Sequence, residues 1–143
     1  MGRLNRALGL LIIAICVFGC SDDDGVPAIT FETLAIGDQS PIEIDRSRHV
    51  INDAAAYEAL FGSAATNVDF DTETVIAAFL GPISHSDNEY EITEIADQGT
   101  FISVVITWTV PRLPVGPETN HYHVIKTAKI TGQVIFTFRE VRL

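Results

Sequence analysis

Apolar and polar residues alternate along much of the chain. Within residues 100–110 the even positions Ile102, Val104, Ile106, Trp108 and Val110 are apolar, and Ser103, Thr107 and Thr109 fall between them. A period of two places one face of a strand in a core. Residues 90–96 repeat the pattern in acidic form, with Tyr90, Ile92 and Ala96 on one side. Residues 122–130 and 133–141 read as a closing strand pair around Thr131-Gly132, with Tyr122, Val124, Val134, Phe136 and Phe138 facing inward. The run Val75-Ile76-Ala77-Ala78-Phe79-Leu80 has no polar member and predicts a central strand buried on both faces, closed by Gly81-Pro82. Upstream, residues 28–35 predict a first strand, and residues 42–51 a second strand or strand pair with Ile42 and Ile44 on one face.

One segment breaks the period of two. Asn52 or Asp53 can cap a helix by accepting from free backbone amides. Good helix formers follow, with Tyr57, Leu60 and Phe61 at helical spacing, and Gly62 is suited to the first position past the end. Strands and helices do not alternate as βαβ units. The predicted class is α+β, mainly β: an antiparallel sheet or sandwich of about seven strands with one packed helix near residues 53–61.

The start of the chain reads as a processing signal. Arg3 and Arg6 precede an apolar run over residues 7–19, too short for a hydrocarbon core of roughly 30 Å but suited to a signal peptide. The run ends Val17-Phe18-Gly19-Cys20, which resembles a bacterial lipobox with a bulky residue at Phe18. The organisation expected is a lipoprotein signal peptide over 1–19, a lipidated acidic linker over 20–28, and one β-rich domain over 29–143. Lipid chains on Cys20 would anchor the protein stably, since two or more acyl chains suffice. Ser21, Asp22, Asp23 and Asp24 follow, a run that resembles the export signal of surface lipoproteins in Bacteroidetes. The location implied is the cell envelope, at the outer membrane and open to the cell surface.

Cleavage before Cys20 removes two of the nine basic residues and none of the nineteen acids, leaving a net charge of −12. Such a charge excludes nucleic acid as a partner and excludes electrostatic attachment to anionic lipid. The charge is uneven: residues 20–111 hold only Arg46 and Arg48 against seventeen acids, whereas residues 112–143 hold five basic residues against Glu118 and Glu140. Pairing of basic C-terminal strands with acidic neighbours accounts for this most simply. Cys16 leaves with the signal and Cys20 is the lipidation site, so the mature chain forms no internal disulfide.

Candidate chemistry is sparse. His121 and His123 lie two apart and point to one side of a strand, where His85 or Asp87 could join them around zinc. No His-Glu-x-x-His or cysteine partner supports that, and the expectation is hydrogen-bonded or solvent-facing histidines with no metal and no cofactor. Ser84-His85-Ser86-Asp87 contains triad residue types without a nucleophile elbow, so no catalytic residue is assigned. Asp69 and Asp71 are expected to make turn hydrogen bonds, and Trp108 to pack in the core rather than stack on a sugar. Pro111, Pro114 and Pro117 recur every third residue, the repeat of polyproline II. They predict a stiff arm that presents Arg112, Leu113 and Val115 as a candidate partner contact.

Several stretches resemble the C-terminal domain of the PrcB family, a protease-complex subunit. They are Phe31-Glu32-Thr33-Leu34 with Gly37 and Ser40, Val50-Ile51 with the helix through Phe61, Val68-Asp69-Phe70-Asp71 leading into Val75-Ile76-Ala77, Tyr90-Glu91-Ile92, Val110-Pro111, and Tyr122-His123-Val124. The family tends to carry a glycine pair where this chain has residues 84–89, and proline where it has His121; both lie in loops. The resemblance implies a non-catalytic lipoprotein that associates with and stabilises a surface subtilisin-like protease. The expectation is therefore a binding or scaffolding module. A glycan-binding lipoprotein is the first alternative and a metal-dependent enzyme the second.

Overall fold

The computed structural model describes residues 25–84, 88–112 and 116–143. Seven strands and one helix run in the order β1 (Phe31–Gly37), β2 (Ser47–Ile51), α1 (Ala54–Phe61), β3 (Glu73–Phe79), β4 (Glu89–Asp97), β5 (Ile102–Val110), β6 (Tyr122–Ala128) and β7 (Val134–Arg142). They form a four-stranded sheet, β1-β6-β3-β2, and a three-stranded sheet, β4-β5-β7. The class is α+β, mainly β, as the periodicity predicts.

The two sheets face one another. Ile76, Ala78, Leu80 and Ile125 of the first meet Tyr90, Ile92, Ile95, Val104 and Ile106 of the second in one apolar cluster. The other face of the first sheet is also covered. Val75, Ala77, Phe79 and Val124 pack under α1 and the segment after it, through Tyr57, Leu60, Phe61, Val68 and Phe70. β3 and β6 are therefore covered on both faces, and β3 is central, with β2 and β6 on its edges. The helix is set at both ends by its sequence. Asp53 Oδ1 accepts from the Ala56 N–H at 2.8 Å, and Gly62 ends the helix in the left-handed region at φ 71°. Asp69 builds the turn before β3, accepting from Asp71 N–H at 3.0 Å and from Thr72 Oγ1 at 3.1 Å.

The structure corrects the sequence reading in four places. Residues 122–141 are not a hairpin: β7 leaves β6 and pairs with β5 in the other sheet, in parallel. Both edges of β6 are already taken, by β1 and β3, so β7 has no place beside it. The second strand is shorter than expected, beginning at Ser47, while Ile42 and Ile44 pack from a non-strand segment. In β4 a register shift between Ile92 and Glu94 changes the phase, so Ile95 enters the core and Glu94 stays exposed. A strict period of two would have buried that carboxylate, a costly outcome for an unpaired charge. Lastly, the apolar face of β5 is buried in its middle only: Val104 and Ile106 are fully covered, whereas Trp108 and Val110 are half-buried.

Candidate functional site: the open edge of the sandwich

The second sheet ends at β7, whose far edge has no strand partner among the described residues. All of β7 is half-buried or exposed. Its hydrogen-bond phase follows from two contacts: the Ile102 N–H donates to the Gln133 carbonyl at 2.8 Å, and the Leu143 N–H donates to the Val110 carbonyl at 3.1 Å. In a parallel pair, successive residues turn their N–H and C=O groups alternately toward and away from the neighbour. Odd-numbered residues of β7 therefore bond to β5. The backbone groups of Val134, Phe136, Phe138, Glu140 and Arg142 point outward. They form a strand-length row of donors and acceptors, which natural sheets normally blunt or cover.

The side chains of those even positions share the face of Val104, Ile106 and Trp108. Phe138 remains 36% exposed, and its ring meets Trp108 edge-on at 6.2 Å and Tyr90 at 5.9 Å. Two arginines from the edge of the first sheet lie over this aromatic floor. The Arg46 guanidinium sits 5.6 Å from the Trp108 ring and 5.8 Å from Phe138, and Arg48 sits 6.0 Å from Phe136. Arg46 is held in place by its Nε, which donates to the Leu80 carbonyl at 3.2 Å. It is also held by a tight backbone approach: at Gly81, with φ 80°, a Cβ would stand 2.8 Å from the Arg46 nitrogen. Among the described residues neither Arg46 nor Arg48 pairs with a carboxylate. Burial pushes the Tyr90 phenol up to about 12, with the positive fields of Arg48 and Arg46 opposing the shift. The Trp108 indole N–H is buried and has no acceptor among the described residues.

The basic residues divide in two. Lys126 pairs with Glu73 at 3.2 Å and Glu32 at 3.6 Å, joining β6 to both of its neighbours as the charge asymmetry suggested. Lys129 donates to the carbonyls of Asn52 and Phe70 at 2.7 and 2.5 Å. The arginines do otherwise. Arg46, Arg48, Arg139 and Arg142 belong to β7 or to the first-sheet edge that packs on it, and among the described residues only Arg142 has an acid, Glu140, from its own strand. Sequence reasoning passed over Arg46 and Arg48. Their signal was that they are the only cations in residues 20–111, against seventeen acids, and lie two residues apart at a strand start.

The sequence-predicted residues fall as follows. Cys20, Ser21, Asp22, Asp23 and Asp24 lie outside the described residues, as do Leu113 and Val115, and as do His85 and Asp87. Arg112 is exposed, and its Nε donates to the Leu143 carbonyl at 3.0 Å, tying the arm to the residue after β7. The arm's far end is fixed too, because Thr119 and Ile83 exchange backbone hydrogen bonds at 2.8 and 2.9 Å. His123 is buried between the sheets. It accepts the Ile92 N–H at Nδ1 at 2.9 Å, and its Nε2 meets Thr33 Oγ1 at 2.9 Å. Since Nδ1 accepts, the ring proton sits on Nε2 and is donated to Thr33. Both ring nitrogens are thus committed at the irregularities of β1 and β4. Burial holds His123 down at about 4, and it lowers His121 and His49 as well. Among the described residues no group of three or more His, Cys, Asp or Glu side chains is placed to hold a metal ion, and no helix is long and apolar enough to cross a membrane. Tyr90, Trp108 and Tyr122 do not form one platform: Tyr90 is buried, Trp108 lies under Arg46, and Tyr122 stacks on Phe79 on the helix side. Comparison with known protein families, curated proteins and solved structures finds no match to this chain.

Proposed function

We propose that this protein is a lipid-anchored module of the bacterial cell envelope that binds a partner protein by accepting one of its strands along β7. The observation that carries this reading is the open edge of β7, with outward backbone groups from Val134 to Arg142 beside half-exposed Phe138. Strand addition uses such an edge directly: backbone hydrogen bonds supply affinity, and alternate side chains supply selectivity. The resemblance to the PrcB C-terminal domain makes a surface subtilisin-like protease the first partner to test, with this domain as its non-catalytic scaffold. The test uses Glu140→Pro. The Glu140 N–H points away from β5, so proline removes an outward donor and adds bulk at the edge while leaving the ladder intact. Wild-type protein immobilised on beads should capture the partner from envelope extract, and the variant should not. Equal yields from the two would overturn strand addition at β7. A small-ligand reading draws on one other feature, a cleft of about 300 Å³ beside α1 lined by Tyr57, Phe61 and Tyr122. A Tyr57→Ala change that abolishes glycan retention on an array would favour it.

A further inference from the structure

We infer that the segment accepted by β7 is an extended peptide carrying carboxylates at alternate positions, read by Arg46 and Arg48; the inference rests on the strand-addition reading above. An added strand would lie roughly 4.8 Å beyond β7, and every second side chain would share the face of Phe136 and Phe138. Arg48 lies over Phe136 and Arg46 over Phe138 and Trp108, so these two guanidinium groups flank successive same-face positions of the incoming chain. The two arginines are themselves two residues apart, so their spacing along the chain matches that of alternate side chains in a strand. Placement over the rings keeps each guanidinium group at this face, and a guanidinium fork suits bidentate contact with a carboxylate. Among the described residues only the Arg46 Nε is otherwise engaged, with the Leu80 carbonyl.

The charge of the molecule sharpens this choice. The chain is strongly acidic, both of its lysines are occupied, and Arg46 and Arg48, which pair with no carboxylate among the described residues, lie together on this face. An acidic peptide finds favourable contacts here and repulsion over the rest of the surface. Repulsion from the remaining acids is screened beyond roughly 8 Å at physiological salt, whereas ion pairs made in contact are not.

The test is binding of fluorescent synthetic peptides to the mature protein, followed by anisotropy. Three repeats are compared: alternating Val-Glu, Val-Lys and Val-Thr. The Val-Glu peptide should bind saturably and the Val-Lys peptide should not. The double variant Arg46→Gln, Arg48→Gln should weaken Val-Glu binding by roughly tenfold or more, and Glu140→Pro should abolish it. Val-Thr binding as tight as Val-Glu, and lost in Glu140→Pro, would overturn the acidic preference while leaving strand addition intact. Failure of every peptide to bind would overturn both readings. A stable dimer in sedimentation, broken by Glu140→Pro, would make a second copy of the chain the occupant and also overturn the inference. If the double arginine variant proves unfolded by circular dichroism, the comparison of the three peptides on wild-type protein still decides the question.

Discussion

His123, on the first sheet, hydrogen-bonds directly to the second. Its neutral form satisfies the Ile92 N–H, and protonation would set a second hydrogen against that same donor. The folded value is about 4, against an ordinary 6.5 in the unfolded chain. The unfolded state therefore binds more protons between these values, so stability is highest above pH 6.5, falls as the pH drops, and levels off below pH 4. The full span is of order 3 kcal/mol. The shifts of His121 and His49 have the same sign and add to it. Urea denaturation at pH 7 and pH 4.5 should show this loss, and His123→Gln, though less stable at pH 7, should lose less across the interval. An equal loss in that variant would place the acid sensitivity elsewhere. Trp108 makes a second residue-scale case. Half-buried beneath Arg46 and beside Phe138, it should cost about 2–3 kcal/mol when replaced by alanine, less than a fully buried aromatic. Denaturant melts measure this, and a loss under roughly 0.5 kcal/mol, the scale of ordinary surface changes, would mean the ring contributes little. The alternation through Ile106 and Trp108 revealed which side this residue faces. How deeply it is buried depends on how far the opposite sheet extends, which periodicity does not encode.

Among the elements, those with a strong local signal were legible in the sequence. The unbroken apolar run of β3 announced a strand covered on both faces, and Asp53 and Gly62 marked the ends of α1. Misreadings arose where the answer lay in distant pairing. Thr131-Gly132 has the local look of a hairpin turn, yet β6 is flanked by strands from far earlier in the chain, and β7 crosses to the other sheet. The candidate site is hidden for the same reason: Arg46 and Arg48 acquire meaning only when Phe136 and Phe138 fold beneath them. The phase of β7 yields a contrast between adjacent residues. Glu140→Pro removes an outward N–H and should leave the melting temperature nearly unchanged. Arg139→Pro removes a donor that faces β5 and should cost about 2 kcal/mol or more. Thermal melts of the two variants decide it, and equal destabilisation would show that the ladder phase is not as described.

At the scale of the whole molecule, a short acidic stretch separates the described domain from Cys20, the proposed lipid site. Among the described residues the first backbone contacts come from Pro27, whose carbonyl accepts from Asp97, and Ile29, whose N–H donates to Ile95. Before them, Gly25 and Val26 are exposed. Residues 21–27, fully extended, span at most about 24 Å, so a lipid on Cys20 would keep the domain close to the membrane. The chain enters at the end of the sandwich where β4 turns into β5; β7 starts at that end, with Val134 beside Ile102, and runs away from it. Among the described residues no helix is long and apolar enough to cross a membrane. Cleaved before Cys20, the proposed lipoprotein would carry a net charge of −12, which repels an anionic surface, where basic clusters of several residues would be needed for attraction. Membrane retention should therefore depend wholly on Cys20, and folding should not depend on it at all. Cys20→Ala is expected to abolish incorporation of labelled palmitate and move the protein out of the membrane fraction. Its purified form should melt at the temperature of wild-type protein, since the core begins beyond the linker. Labelled palmitate in the variant would refute the assignment of the lipid site. Retention without any label would instead point to a protein partner holding the domain at the membrane, and Glu140→Pro in the same background would then tell whether β7 makes that contact.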